Sequence, residues 1–280
     1  EYLERLEPKE IEKVNHQMVY HLLRRKSFHD ARYKKKWIVI IDGTQTYSGG
    51  RKINEGYLER HFENGTEKES VNYPLDVLEE KLYLGEKLLC SIGSEFIENT
   101  AVDRERYRTM SEEDIKQDCE IKAFKRLAKK IHEQYPRLPL LLMGDSLYAS
   151  EPVISVCEEY GWDYLLRYKD GSIPSIAEEF KAIPEHGKAG HAEFVNEIDY
   201  KGHKVNELKY YEEKVVRGEV CHTEFQWITS LKITEKNAEK MAGVGRLRWK
   251  IENEGFNRQK NWQGDITHVC SWDLNALKNH

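Results

Sequence analysis

Short apolar runs and helix-like repeats alternate along most of this chain. Two short apolar runs, Trp37–Ile41 and Leu138–Met143, are each followed by a pair of residues typical of turns. Runs of this length predict strands that are buried on both faces. Trp162–Tyr168 predicts a further strand, and Tyr73–Phe96, with Gly85-Glu86 near its middle, predicts a hairpin or meander.

Apolar residues spaced three and four positions apart predict helices between these strands. The stretch from Pro8 to Arg25 has such a face, made of Ile11, Val14, Met18, Val19 and Leu22. Ser111, followed by three acids, resembles a helix start, and Pro136 ends the predicted helix. Ser150 and Gly161 are typical of the two ends of another, short helix.

The stretch from about Asp170 to Thr229 departs from this alternation, because turn pairs separate short β-favouring runs in it. We interpret it as a mostly β insertion in a β/α core. The predicted segments are an N-terminal helical segment (1–36), the first part of the core (37–169), a β-rich insertion (170–232) and the last part of the core (233–280). Short βα alternation predicts an α/β fold with a partly parallel sheet covered by helices.

Composition narrows the class of protein. At 280 residues, 39% hydrophobic and 33% charged, the chain can bury a sizeable core. No apolar run approaches the roughly 20 residues of a membrane span. Five cysteines without a CxxC pair favour neither a disulfide framework nor a zinc ribbon, so we expect a cytoplasmic protein. With a formal net charge of −5, any binding to DNA must depend on local basic patches.

One predicted helix, Arg246–Lys260, carries two acids among five bases. Arg248 and Glu252 are four residues apart and therefore share a face, whereas Glu254 points roughly 200° away from Glu252. A salt-bridged surface helix is the simplest reading. Two features favour a functional role instead: Gly255 suggests close packing, and Trp249 and Trp262 lie among the bases, as is typical of nucleic-acid binding. Helical phase selects Glu252 as the candidate acid.

Asp42 and Asp145 each follow a predicted buried strand. Asp42 could simply form an Asp-Gly turn, and Asp145 could be a loop or helix-capping residue. Because functional groups gather at the carboxyl ends of parallel strands, the two could instead meet Glu252 at one point. Three such carboxylates would repel one another unless cations lay between them, and magnesium prefers oxygen ligands of this kind.

These residues lie in stretches that resemble known motifs. Trp37–Gly43 (WIVIIDG), Leu140–Ser146 (LLLMGDS) and Arg248–Phe256 (RWKIENEGF) resemble, in order, the three acidic motifs of DDE transposases. The branch related to the insertion sequence four family is the most similar, since it also carries a β-rich insertion before the last acid. Its signature has a tyrosine three positions before the arginine and a lysine seven positions after the glutamate; this chain has Gly245 and Gln259, with Lys260 adjacent.

The resemblance implies a ribonuclease H-like fold, a mixed sheet flanked by helices, and a transposase that cleaves and transfers DNA strands at insertion-sequence ends. Asp42, Asp145 and Glu252 would be its catalytic, metal-binding acids, with two Mg²⁺ ions that Mn²⁺ could replace. DNA contacts would come from Arg248, Arg258, Lys260 and Trp249, although core packing is an alternative for Trp249. The expected partner is double-stranded DNA, bound by a homodimer near the nucleoid, without a nucleotide cofactor or a membrane.

Two other functions fit parts of the sequence. A transposase-derived protein that binds DNA without cutting it would have the same motifs. A phosphatase of the haloacid dehalogenase type is suggested by Ile41-Asp42-Gly43-Thr44 and Gly144-Asp145-Ser146. That chemistry needs a second aspartate two residues after the first, where this chain has Thr44. The phosphatase is therefore the weaker alternative.

Overall fold

The computed structural model describes residues 1–63, 65–86, 88–110, 116–216, 219–268 and 271–279. The fold is mixed α/β, with a large mixed sheet flanked by helices, and this predicted fold class is confirmed. The chain divides into two compact units. The first unit comprises Glu1–Phe28, Asp42–Pro136 and Ile251–His280. The second unit comprises His29–Ile41 and Arg137–Lys250.

The second unit is built on a row of strands in the order β1-β5-β6-β10-β9-β8-β7. Their bounds are β1 (Trp37–Gly49, of which Trp37–Ile41 belong to this unit), β5 (Leu140–Gly144), β6 (Asp163–Tyr168), β7 (Gly187–Ala189), β8 (Ala192–Tyr200), β9 (His203–Val216) and β10 (Glu219–Thr229). Strands β1, β5 and β6 run parallel, whereas β10, β9, β8 and β7 continue the row antiparallel. In the parallel part, every residue of Trp37–Ile41 and of Leu140–Gly144 is buried, as is typical of parallel strands that are covered on both faces.

The helices of the second unit follow the predicted pattern in part. They are α5 (Glu151–Tyr160), α6 (Pro174–Ala182), α7 (Ala238–Gly245) and two 3₁₀ turns, His29–Ala31 and Arg246–Trp249. Ser150 is the N-cap of α5, and Gly161 ends it with a φ of 67°, a conformation that favours glycine. The stretch predicted to be β-rich does contain β7 to β10, but its helix α6 was not predicted.

Within its described residues, the first unit contains the second half of β1 and three more strands. These strands are β2 (Arg60–Phe62), β3 (Ser70–Tyr83) and β4 (Leu89–Ile97), and β3 lies between β2 and β1 with β4 also paired to it. Its α-helices are α1 (Tyr2–Arg5), α2 (Pro8–Arg24), α3 (Ala101–Tyr107), α4 (Glu120–Gln134) and α8 (Leu274–Asn279). The antiparallel pair β3–β4 confirms the predicted hairpin.

Helix α4 packs against strand β4 through a continuous apolar face. The residues of this face recur at helical spacing and are completely buried; they are Ala123, Phe124, Leu127, Ala128 and Ile131. The close approach depends on Gly93 of β4, because a Cβ there would lie 2.9 Å from a methyl carbon of Leu127. This packing supplies much of the apolar core of the first unit, at roughly 1.5–3 kcal/mol for each large side chain that is fully buried.

Two predicted element boundaries and part of one predicted helix face are wrong. Strand β1 does not stop at Asp42-Gly43 but continues to Gly49, where its residues pair with β3. Helix α4 begins at Glu120, since residues 116–119 are not helical; the predicted start at Ser111 and the apolar position Ile115 lie outside the described residues. On α2, Val14 and Met18 were predicted to face the core, but 58% and 66% of their surfaces are exposed.

No helix in the part of the chain that the structure describes combines the length and the apolar character needed to cross a membrane.

Candidate functional site

Asp42 lies within strand β1 rather than in a turn after it. Its Oδ1 accepts a hydrogen bond from the Gly43 N–H at 3.0 Å. Beyond it, the strand is held by Gln45 Nε2, which donates to Asp76 Oδ1 at 3.0 Å, and by Thr46 Oγ1, which donates to the Leu75 carbonyl at 3.1 Å. These contacts with β3 keep the chain extended, so the alternative of a plain Asp-Gly turn is wrong.

A cavity of about 420 Å³ in the first unit brings two predicted site residues together. Asp42 and Glu252 both line it, together with Lys260. The remaining lining residues are Gly43, Thr44, Phe256, Asn257 and Asn261. Of the two neighbouring acids on the helical segment, only Glu252 is among the described residues that line this cavity.

The segment that carries Glu252 is helical but is not a regular α-helix. It forms a 3₁₀ turn over Arg246–Trp249 and then π-helical turns over Ile251–Phe256 and Gln259–Gln263. The predicted helix is therefore present, but most of its turns are 3₁₀ or π-helical rather than α-helical. A π-helix closes i→i+5 hydrogen bonds and shifts the phase of the residues that follow, and such turns are frequent at functional sites. In this segment Lys260 lines the same cavity as Glu252, eight residues before it.

Two buried charged residues of β3, Glu79 and Lys81, lie next to this segment, and Lys81 contacts it directly. Lys81 Nζ lies 2.6 Å from Glu79 Oε2, donates to Gln259 Oε1 at 3.2 Å, and lies 5.4 Å from the centre of the Phe256 ring. Gly255 allows the close approach of Lys81, since a Cβ at position 255 would lie 2.9 Å from Lys81 Cε and would require that side chain to shift. Gln259, which stands where the related family has a lysine, thus contacts Lys81, while Lys260 lines the cavity.

Asp145 lies in the second unit, directly after the carboxyl end of β5. Its Oδ1 accepts a hydrogen bond from the Leu147 N–H at 2.8 Å, which forms an Asx turn. The alternative of a helix cap is wrong, because the N-cap of the next helix, α5, is Ser150. The turn orients the carboxylate and leaves its remaining lone pairs for other ligands.

A second cavity, of about 540 Å³, lies within the second unit. Asp145, Arg248 and Trp249 line it, as do Arg167 and Trp227. Trp249 is 47% exposed, so the alternative of core packing for this residue is wrong. Arg258, the remaining predicted DNA contact, is half-buried between the two π-helical turns and does not line either of the two cavities as described.

Gly245 departs from the signature of the related family for a reason that the structure supplies. A Cβ at position 245 would lie 2.5 Å from Cε2 of Trp227, so the indole ring occupies the space that a larger residue would need. Trp227 and Arg167 were not among the predicted site residues. For Arg167 a signal was available, since it lies near the end of a predicted strand and a second base, Lys169, follows two residues later.

Carboxylate oxygens are the predicted metal ligands, and hard divalent ions such as Mg²⁺ prefer ligands of this kind. The donor chemistry of Asp42 and Glu252, which share one cavity, fits such an ion. Across the ranges that the structure describes, no three His, Cys, Asp or Glu side chains form a group that could hold a metal. The three-acid metal site therefore stays a prediction.

Comparison with known proteins adds a family assignment to this geometry. A family model described as "Transposase DDE domain" matches residues 117–280, more than half of the chain; the match includes Asp145 and Glu252 but not Asp42. No curated protein matches. One similar solved structure is that of the piggyBac transposase synaptic complex with hairpin DNA, at 12% sequence identity and a TM-score of 0.46. The similarity covers 86% of this chain and 44% of that one.

Proposed function

Because this chain belongs to the transposase DDE domain family, we propose that it is an enzyme that cuts DNA at insertion-sequence ends and joins the freed 3′-hydroxyl to target DNA. The observation that best supports this proposal is the cavity that Asp42 and Glu252 line together with Lys260. It combines acidic oxygens, which suit metal ions, with a basic side chain, which suits a DNA phosphate.

Asp42, Asp145 and Glu252 are our candidates for the acids that hold divalent metal ions. Carboxylates that share a cavity repel each other; for two unit charges 4 Å apart the cost is about 4 kcal/mol at an effective dielectric constant of 20. Two Mg²⁺ ions, or Mn²⁺ in their place, would offset this repulsion. When bound, such ions activate a water or a 3′-hydroxyl and stabilise the leaving oxygen of an in-line phosphoryl displacement.

The basic and aromatic candidates bind the DNA in this proposal. Lys260 and Arg258 belong to the first unit and Arg248 and Trp249 to the second. Arginine suits the phosphate backbone because its planar guanidinium donates two parallel hydrogen bonds to one phosphate. Because the chain belongs to this transposase family, we also propose that two copies of it act on paired DNA ends within the nucleoid.

Purified protein incubated with DNA that carries the insertion-sequence ends, in Mg²⁺ or in EDTA, tests the proposal. We expect strand cleavage that requires the metal and that Asp42→Asn and Asp145→Asn each reduce on the order of a hundredfold or more. Gel-resolved cleavage products measure it. Far-UV circular dichroism of each variant verifies that the fold is intact.

The same assay separates the alternatives. Binding of the DNA ends without cleavage in any divalent metal would support a transposase-derived DNA-binding protein. Hydrolysis of small phosphoesters without DNA cleavage would support a phosphatase. Either result would overturn the proposed strand transfer.

A further inference from the structure

The cavity of the second unit is strongly basic. Among the described residues that line it, four are basic and one is acidic: Arg167, Lys169, Arg246 and Arg248, with Asp145. The chain as a whole has a formal net charge of −5, so this concentration of positive charge is local. A basic cavity in an acidic protein indicates an anionic ligand.

Arg167 is the basic residue of this cavity that most needs an anion. In the described part of the chain it forms no ion pair with a carboxylate, and its guanidinium Nη2 reaches only the Glu224 carbonyl, at 3.5 Å. Arg246, by contrast, is paired with Glu212, since Nη1 lies 2.5 Å from Oε1. Burial and the nearby charge of Arg248 both lower the pKa of Arg167. An anion bound at Arg167 would relieve this repulsion.

Two aromatic rings hold the Arg167 guanidinium in place. Its carbon Cζ lies 4.8 Å from the centre of the Phe225 ring and 5.6 Å from that of Trp227. Arg167 is paired directly across the strands with Trp227, so the two side chains project from the same face of the sheet. The Phe225 and Trp227 rings are themselves stacked, 6.0 Å apart and 10° from parallel. A guanidinium that lies on a ring keeps its N–H groups available at its edge.

We propose that Arg167 is a DNA-phosphate ligand, seated on Phe225 and Trp227, that binds a phosphodiester of the DNA strand in the cavity that also contains Asp145. This inference rests on the proposed function for the identity of the anion. The cavity volume of about 540 Å³ is within the usual range of ligand sites. Arg167 thereby positions the strand near Asp145 without taking part in bond making or breaking.

Binding in EDTA, where no cleavage takes place, tests the inference separately from catalysis. The probe is a fluorescently labelled single-stranded oligonucleotide, followed by anisotropy over a series of salt concentrations. Arg167→Met keeps an apolar stem on the rings but removes the charge. We expect it to weaken binding about tenfold at low salt and to lower the slope of log K against log salt by about 0.7.

Arg137→Met is the matched control. Arg137 is an exposed arginine of the same unit, located before the amino end of β5, whereas Asp145 follows the carboxyl end. The Arg137→Met variant removes the same charge as Arg167→Met, but we expect it to leave the salt slope unchanged. Arg167→Lys keeps the charge but loses the paired donors, so we expect it to restore the slope and only part of the affinity.

Any of three results of the binding assay would overturn the inference: equal effects of Arg167→Met and Arg137→Met, an unchanged salt slope in Arg167→Met, or displacement of the oligonucleotide by an equal concentration of inorganic phosphate. The last would indicate a site for free phosphate. Thermal unfolding verifies that Arg167→Met and Arg167→Lys are as stable as the wild type. If only Arg167→Met has a lowered melting temperature, the affinity of Arg167→Lys is the test, and an affinity equal to that of the wild type would contradict the inference.

The cleavage assay separates this inference from the proposed function. If Arg167→Met binds and cleaves DNA as the wild type does, this site is rejected, whereas the proposed function is not.

Discussion

Glu252 and Glu254 lie two residues apart, but Glu252 lines the cavity with Asp42 and Glu254 is not among its described lining residues. We therefore expect Glu252→Gln to reduce metal-dependent DNA cleavage on the order of a hundredfold or more, and Glu254→Gln to keep most of it. Gel assays of cleavage in Mg²⁺ measure both variants, and each serves as the control of the other. The reverse result would assign the role of the third acid to Glu254.

Two glycines of helix α7 offer a test of packing around Trp227. A Cβ at Gly245 would lie 2.5 Å from the Trp227 indole, whereas one at Gly243 would meet nothing within 4 Å. We expect Gly245→Ala to lower the free energy of unfolding by about 1–3 kcal/mol, because the overfilled site must shift. Gly243→Ala should raise it by up to about 1 kcal/mol, because alanine favours the helix. Urea unfolding measures both; equal effects would contradict this account of Gly245.

The surroundings of individual side chains were the part of this site that the sequence predicted least well. The spacing of Glu252 and Arg248 could be read from the sequence, as could the position of Asp145 after a buried strand. For Trp249, by contrast, the sequence left core packing open as an alternative to a DNA contact, and its side chain is 47% exposed. Whether an aromatic residue packs inside depends on the partners that long-range pairing brings to it. The strand pair that sets Arg167 opposite Trp227 involves residues distant in sequence, so no local pattern indicates it.

At the scale of elements, an ionic network anchors helix α4 to strand β4. Arg126 donates to both carboxylate oxygens of the buried Asp118, at 2.6 and 3.1 Å, and to Glu95 Oε1 at 2.6 Å. The Glu98 N–H also donates to Asp118 Oδ2, at 3.1 Å. The network holds Asp118, which lies two residues before the start of α4 at Glu120, against residues of β4 and its end.

Breaking this network should destabilise the first unit. We expect Asp118→Ala to lower the free energy of unfolding by about 3–5 kcal/mol, because Arg126 loses its paired buried acid. The control is Glu10→Ala, which removes an exposed partner of Lys13 and should change stability by less than about 1 kcal/mol. Guanidinium unfolding followed by circular dichroism measures both variants. Similar small effects would mean that the Asp118 contacts contribute little.

Element type was predictable here, but element geometry was not. The buried strands and the hairpin β3–β4 follow from apolar runs and turn residues, and both are present. The extension of β1 through Asp42 depends on hydrogen bonds to Leu75 and Asp76, which a local turn signal cannot reveal. The π-helical turns around Glu252 likewise contact Lys81 through Gln259 and Phe256, and Lys81 belongs to a strand far away in sequence.

For the whole molecule, each of the two units contains a buried glutamate whose ionisation opposes folding. Glu80 in the first unit is completely buried, and burial raises its pKa to about 8. Glu207 in the second unit is also completely buried, and burial raises its pKa to about 8 even though Lys209 Nζ lies 3.5 Å from its Oε1. Both side chains keep their proton in the folded chain over a range in which the unfolded chain releases it.

The folded protein should therefore lose stability as the pH rises from about 4.5 to about 8, and the loss should level off above that window. Each pKa unit corresponds to about 1.4 kcal/mol, so the effect of one glutamate amounts to a few kcal/mol. We expect Glu80→Gln and Glu207→Gln each to raise the melting temperature at pH 8 relative to the wild type, with little change at pH 5. The exposed Glu67→Gln is the control and should shift neither value. Calorimetry at the two pH values measures all three variants, and a wild type that is equally stable at pH 5 and pH 8 would contradict the burial of two protonated carboxyls.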